Sequence, residues 1–404
     1  MTQPSSRKVR ARIAVAVLGF GTFAVGTDEF VLAGVLPQLG DSLGVSVATA
    51  GQVVTVFALT CALLAPVLAM LTAGWSRRRV LLLAVLVYLA GNVATALAPS
   101  FAFVLIAQLV AAAGAGLYVP TASVTAAALV PEDRRGRAIA VVTTGFTAAT
   151  ALGAPIGTLL GGLLGWRATM WFVAGLAVLG LLGVLALVPA VSAPAPEGLR
   201  PRLAPLGDRR VLAVLATTLA GFTAVYLPYV YISAVFEPAT GGGGDRLAVL
   251  IFTLGVIGTA GNFAAGSLAD RIGARRVVAV ALGWLAAVLV VLPLTTGGFG
   301  TSVAIIVAYG VAAFAITTPQ QHRLITLRPE SASVLVSLNA AVLYLAISLA
   351  GMLGGAGIGL VGANRLSLVA AGLAILALAL SEVAGRLTLR STMDRSVTGE
   401  PVSR

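Results

Sequence analysis

The chain has 404 residues, of which 59% are hydrophobic and only 10% charged, with a mean hydropathy of +1.02. Soluble globular chains carry about 25% charged residues, so this composition excludes a soluble domain and predicts a polytopic membrane protein. The net charge of +12 would suggest nucleic acid in a soluble chain, but here the placement of the basic residues along the spans carries the information, and no nucleic-acid partner is expected.

Apolar runs bounded by short polar or Gly/Pro breaks fall at 13–36, 49–72, 80–98, 101–130, 138–164 and 168–190. A second set follows at 211–237, 247–268, 277–296, 300–320, 331–360 and 363–385. A spanning helix needs about 20 apolar residues, so twelve transmembrane helices are expected. The first run follows Arg7, Lys8, Arg10 and Arg12 like a signal peptide, but it is too long and carries acids, so it is expected to remain as the first helix.

Alternating sides from a cytoplasmic N-terminus places those four residues inside, with Arg77 to Arg79, Arg134, Arg135, Arg137, Arg200, Arg202, Arg209 and Arg210. Arg271, Arg275, Arg276, Arg323, Arg328, Arg386, Arg390, Arg395 and Arg404 complete the inner set. Only Arg167, Arg246 and Arg365 fall outside. The positive-inside rule then puts both termini in the cytoplasm.

The first span holds two adjacent carboxylates in Gly26-Thr27-Asp28-Glu29-Phe30. A charge near mid-bilayer costs about 2.5 to 3.5 kcal/mol on insertion scales, so such groups by default mark a proton, ion or substrate pathway. Successive helical side chains diverge by about 100°, so both acids cannot point into one cavity.

Between the sixth and seventh runs, Val191–Arg210 carries Pro194, Pro196, Pro201, Pro205 and four arginines, and reads as a cytoplasmic linker. It divides the chain into an N-terminal six-helix half (1–190), the linker (191–210), a C-terminal six-helix half (211–390) and a cytoplasmic tail (391–404). The break Arg77-Arg78-Arg79-Val80 recurs as Arg275-Arg276-Val277 nearly half a chain later, which supports a six-plus-six repeat. Gly241 to Gly244 is expected to be a flexible outer connection.

Cys61 is the single cysteine and sits in an apolar run, where it packs as a small residue. One histidine, His322, lies beside Arg323 at the inner end of the tenth run and is expected in a solvated loop. No metal-ligand cluster, catalytic cluster or phosphate-binding Gly-Lys-Ser/Thr loop is present in the sequence. The expectation is therefore a chain that is not an enzyme, uses no cofactor or metal, and does not draw directly on ATP.

Gly266-Ser267-Leu268-Ala269-Asp270-Arg271-Ile272-Gly273-Ala274-Arg275-Arg276 closely resembles the loop signature of the major facilitator superfamily. In that reading Gly266 permits close helix approach, Asp270 caps a helix start or pairs with arginine, and the arginines anchor the cytoplasmic face; in the family the loop is thought to latch one transport state. The equivalent N-terminal loop departs, with Ala73 where the Asp would stand and Ser76 where Gly273 stands. The fifth span, Gly145-Phe146-Thr147 through Gly153-Ala154-Pro155-Ile156-Gly157, resembles the superfamily's antiporter motif. Its spaced glycines allow close packing, and Pro155 removes a backbone donor and kinks the helix.

The Gly26 to Phe30 segment, continuing to Pro37, resembles the Gly-Thr-x-Glu-Phe segment of twelve-span drug:proton antiporters, and the closest pattern is that of actinobacterial chloramphenicol exporters. Pro131 to Arg137 and Gly165-Trp166-Arg167 fit the same exporters; Trp166 also suits a membrane interface. The resemblance implies an all-α major facilitator fold of two six-helix halves in a bacterial inner membrane, acting as a monomer on a small-molecule substrate and protons, surrounded by lipid. Glu29 occupies the family position for the proton-coupling residue, with Asp28 sharing its proton or bonded at a helix interface. Gln108 stands where many relatives have an arginine, which leaves it either a cavity residue or an interhelical bond. Phe222, Tyr226, Tyr229 and Tyr231 around Pro228 are candidate contacts for an uncharged, partly aromatic ligand; Tyr118, Asn262 and Asn339 are further candidates. Glu237 and Glu382 lie near span ends. Sugar or metabolite export is the same-fold alternative; a sensor or membrane enzyme is the alternative of another class.

Overall fold

The computed structural model describes residues 4–191 and 204–398. Most of the linker and the end of the tail, including Arg200, Arg202 and Arg404, lie outside these. Twelve helices are long and apolar enough to cross a membrane. In chain order they are α1 (Val9–Leu43), α2 (Val47–Leu71), α3 (Arg77–Ala96), α4 (Phe101–Ala128), α5 (Glu132–Leu164) and α6 (Trp166–Leu187). The second set is α7 (Arg209–Val230), α8 (Gly244–Ile272), α9 (Ala274–Leu294), α10 (Phe299–Leu327), α11 (Pro329–Val361) and α12 (Ala363–Leu389). No strand occurs among the described residues.

Every expected run becomes a span, and the boundaries differ where capping chemistry decides. Arg77 to Arg79 and Arg275–Arg276 form the first turns of α3 and α9 instead of loops. At α7, Asp208 is the N-cap, its carboxylate accepting from the Arg210 N–H. That helix stops at Val230, short of the expected 237, because Tyr231 leaves helical geometry three residues after the kink-forming Pro228.

The two six-helix halves pack alike. In the first, α1 lies against α5 and α6, α2 against α4, and α3 against α6; in the second, α7 lies against α11 and α12, α8 against α10, and α9 against α12. The halves meet through α2 on α11 and α5 on α8. These two contacts exchange under the half-chain repeat, which gives the molecule an approximate two-fold axis between the halves.

α1 and α5 approach with almost no space for side chains. A methyl group on Gly145 would stand 2.0 Å from the Gly19 carbonyl oxygen, and one on Gly153 2.0 Å from Thr27 Oγ1. Gly157 and Gly161 face Val31 and Val35 in the same way. A π turn at Ala149–Gly153 precedes Pro155, whose missing N–H interrupts the regular ladder.

The inner loop signature behaves differently from the expectation. Asp270 is exposed in the last turn of α8 and has no ion pair among the described residues, so it caps no helix start. The reason is that the chain reverses one turn later, at Gly273, whose φ of 89° is open to glycine and strained for other residues. Gly266 also has room, since an added methyl group would only touch Thr318. Arg275 pairs with Glu382 of α12, while Arg271 and Arg276 are exposed.

Three further residues depart from the sequence reading. Trp166 is buried and donates to Ser42 Oγ. Arg323, expected near a loop, is buried because α10 continues past it and Ser381 and Gln320 accept from its guanidinium. Gly244 is no flexible connector: its backbone lies on that of Gly162, sealing α8 against α5. His322 and Glu237 are exposed, and Cys61 is buried against the Ala112 carbonyl.

Candidate functional site

The acids of α1 take separate directions, as their 100° offset requires. Asp28 is fully buried inside the first half and accepts from Asn92 Nδ2 of α3 at 3.1 Å. Glu29 points across to the second half, where the Tyr344 hydroxyl of α11 donates to its Oε2 at 3.2 Å. Both carboxylates keep one oxygen, Asp28 Oδ1 and Glu29 Oε1, buried with no hydrogen-bond partner. An unpaired buried polar atom forfeits its hydration without return, so both acids are disposed to accept a proton or a polar ligand.

A cavity of about 150 Å³ lies between the halves; Phe30 and Leu343, the chain neighbours of Glu29 and Tyr344, line it, while Glu29 itself is not in the lining. Phe30, Phe146, Phe222, Tyr226 and Tyr229 give it an aromatic wall, and Thr150, Thr259, Asn262 and Thr317 supply the polar atoms. Local backbone breaks shape this lining. Thr150 belongs to the π turn of α5, and Thr317 begins the second segment of α10 after a break at Ala315–Ile316. Tyr226 stands edge-on to Tyr229, which in turn stands edge-on to Phe30. Such pairs hold rings at fixed angles.

The cavity is sealed on the side away from the arginine clusters. There Gln52 of α2 donates to the Gly351 carbonyl of α11, Tyr231 bridges the Gly351 and Ala48 carbonyls, and Gly162 meets Gly244. Slightly deeper, Tyr229 donates to the Phe30 carbonyl. On the arginine side, Leu63 and Leu71 of α2 and Ser333 of α11 are exposed, and none of the hydrogen bonds between the halves among the described residues lies at that face.

Of the residues singled out in the sequence, the structure gathers Phe222, Tyr226, Tyr229 and Asn262 at this cavity. It does not bring the other candidates there. Gln108 is buried within the first half and donates to Thr95 of α3, and Tyr118 donates to the Leu18 carbonyl. Asn339 accepts from Thr218 inside the second half, and Tyr231 belongs to the seal. Tyr344, Tyr309, Thr150 and Phe314 escaped the sequence reading. For Tyr344 the available signal was a lone phenol midway along an apolar span. Among the described residues, no cluster of His, Cys, Asp or Glu is arranged to hold a metal.

The Major Facilitator Superfamily profile matches residues 18–351. The uncharacterized MFS-type transporter YbcL of Bacillus subtilis is 30% identical over 354 residues, covering 88% of this chain and 90% of that protein. The inner membrane transport protein YdhP of Escherichia coli K12 is 30% identical over 89% of this chain and 93% of its own length. A chloramphenicol resistance protein of Streptomyces lividans is 38% identical over 66% of this chain and 70% of its own. Among solved structures, a bacterial homolog of the human lysosomal transporter Spinster, inward-facing and occupied, superposes with a TM-score of 0.78 at 18% identity, covering 96% of this chain and 99% of that one.

Proposed function

We propose that this chain, which belongs to the major facilitator superfamily of transporters, exports a small amphipathic compound across a bacterial inner membrane in exchange for protons. The observation that carries the reading is Glu29: a buried carboxylate with one free oxygen, bonded across to the second half and next in the chain to Phe30 of the cavity wall, between two halves that are closed at one end. With the arginine clusters in the cytoplasm, the present state opens inward. Ionised Glu29 belongs to the substrate-accepting form. After the halves rock to open outward, a proton from outside neutralises Glu29 and substrate leaves; loss of that proton to the cytoplasm resets the cycle.

One proton supplies about 1.4 kcal/mol per pH unit and about 2.3 kcal/mol per 100 mV, enough to drive export uphill. The protein works as a monomer in lipid and as a transporter, not an enzyme. Asp28, bonded to Asn92, supports α1 and is the secondary proton site. Phe222, Tyr226, Tyr229 and Asn262 contact substrate.

The specific substrate proposed is chloramphenicol, a neutral aromatic amide suited to rings and scattered hydroxyls. The name of the Streptomyces lividans relative supports this choice. Sugar export would call for a lining rich in amides and acids, whereas this one is aromatic and aliphatic, with threonines, a single amide and no acid. The test is chloramphenicol accumulation in cells expressing the intact chain or Glu29→Gln at matched levels, with and without a protonophore. Reduced accumulation, abolished by either perturbation, is expected. Accumulation equal to that of empty cells removes chloramphenicol, and active export by Glu29→Gln removes Glu29.

A further inference from the structure

Four hydrogen bonds join the two halves among the described residues. Three end on backbone carbonyls: Gln52 on Gly351, Tyr231 on Ala48, and Tyr229 on Phe30. A carbonyl acceptor has the same charge at every pH. The fourth, from the Tyr344 hydroxyl to Glu29 Oε2, ends on a group that gains or loses a proton. Hydrogen bonds to an ionised acceptor are roughly twice as strong as neutral ones, so this contact alone among the four changes strength when the site titrates.

Its position gives that change leverage. Tyr344 lies seven residues before Gly351, about 10 Å along α11, where the sealed part of the α2–α11 contact gives way to the open part. Leu343, its neighbour, lines the cavity. The groups facing Glu29 from the packed helices leave Tyr344 unopposed. Asp28 on the same helix turns to Asn92, Tyr88 of α3 donates to the Ala24 carbonyl, Cys61 of α2 donates to the Ala112 carbonyl, and Tyr226 and Tyr229 of α7 form the aromatic wall. None of these groups is a cation. Glu29 Oε1 is free to take the proton, which leaves Oε2 as the weaker carbonyl acceptor.

We propose that Tyr344 is the positioning residue through which α11 reads the charge on Glu29. The ionised carboxylate holds the phenol and keeps α11 at α1 in the empty inward-open form; a substrate that takes up the carboxylate, or a proton at Oε1, loosens the bond and lets α11 pivot, so the two loaded forms cross and the empty ionised one does not. The inference rests on Glu29 being the coupling carboxylate, and the test separates the two claims.

Spin labels at Leu71→Cys and Ser333→Cys, both exposed on the arginine side of α2 and α11, report opening by pulsed electron resonance in nanodiscs across a pH titration. In the otherwise intact protein the ratio of open to closed populations is expected to change about fivefold on protonation, the difference between charged and neutral hydrogen bonds. Glu29→Gln should abolish the change. Tyr344→Phe, which keeps the ring, should also abolish it, and the double variant should match either single one. If Tyr344→Phe titrates like the intact protein while Glu29→Gln does not titrate, the role of Tyr344 is overturned and Glu29 stands. If the intact protein shows no pH response, or Glu29→Gln retains one, the coupling role of Glu29 fails and the inference fails with it.

Discussion

Replacing Gly145 by alanine tests whether α5 is a packing template for the helix that carries Glu29. The new methyl group would meet only backbone: the Gly19 oxygen at 2.0 Å, its carbon at 2.9 Å and the Phe23 nitrogen at 3.1 Å. Ordinary contact begins near 3.4 Å, so α1 and α5 must part by about 1.4 Å at that level. Overpacking typically costs about 1 to 3 kcal/mol, and an unyielding backbone places this case at the upper end. Alanine returns about 0.5 to 1 kcal/mol of helix propensity, leaving a net loss of about 2 kcal/mol. Gly175→Ala on α6 is the control, because no atom lies within 4 Å of its added methyl group. Cys61 is the single cysteine and is buried, so a thiol-reactive fluorophore reports unfolding directly. Gly145→Ala should unfold a few degrees lower, with Gly175→Ala unchanged or slightly higher. Equal or reversed midpoints would refute the close α1–α5 contact.

Tyr226→Ala and Phe222→Ala should raise the concentration of substrate needed for half-maximal efflux by about tenfold each, a typical worth of a buried aromatic contact. Gln108→Ala, away from the cavity, should leave that concentration unchanged; flux measured against substrate concentration distinguishes them. Arg323→Ala removes charged hydrogen bonds to Gln320 and Ser381 and should lower thermal stability by about 1.5 to 3 kcal/mol. The Asp208 carboxyl is drawn down from 3.8 to about 2, chiefly by its hydrogen bond from Arg210. A depressed carboxyl stabilises the fold above its unfolded value, so its contribution is complete above pH 3.8 and fades as pH falls toward 2. Asp208→Asn should unfold earlier near neutral pH, and the gap from the intact protein should close in acid, as midpoints taken across that window will show.

The span count was legible because hydropathy acts on whole runs, and a run of twenty apolar residues has few alternatives to crossing a bilayer. That Asp28 and Glu29 diverge followed from helical geometry; which of them faces the second half did not, and Glu29 was singled out by the family resemblance. Which face of a helix meets which neighbour was far less legible. A span such as α4 is apolar on all sides, so nothing in its pattern told that Gln108 turns to Thr95 and away from the central cavity. Arg323 misled because charge normally marks the membrane edge; its burial depends on Ser381, distant in sequence, supplying an acceptor. Tyr344 stood out only as a lone phenol in an apolar span, since its meaning comes from an acid on the opposite half.

The small-residue face of α5 repeats every four residues, with glycine at 145, 153, 157 and 161 and alanine at 149, and each position lies against α1. An α-helix turns about 100° per residue, so a strict four-residue repeat drifts by about 40° at each step and would wind off its neighbour within the span. The π turn at Ala149–Gly153 accommodates one extra residue and turns the stripe back. It therefore acts as a phase correction, with the motif read in two frames joined at that point. Deleting that one extra residue would close the π turn and leave Gly157 and Gly161 against α1, whereas deleting two would swing both by about 100° away from it, detaching the outer half of the helix pair while leaving the composition of the motif almost untouched.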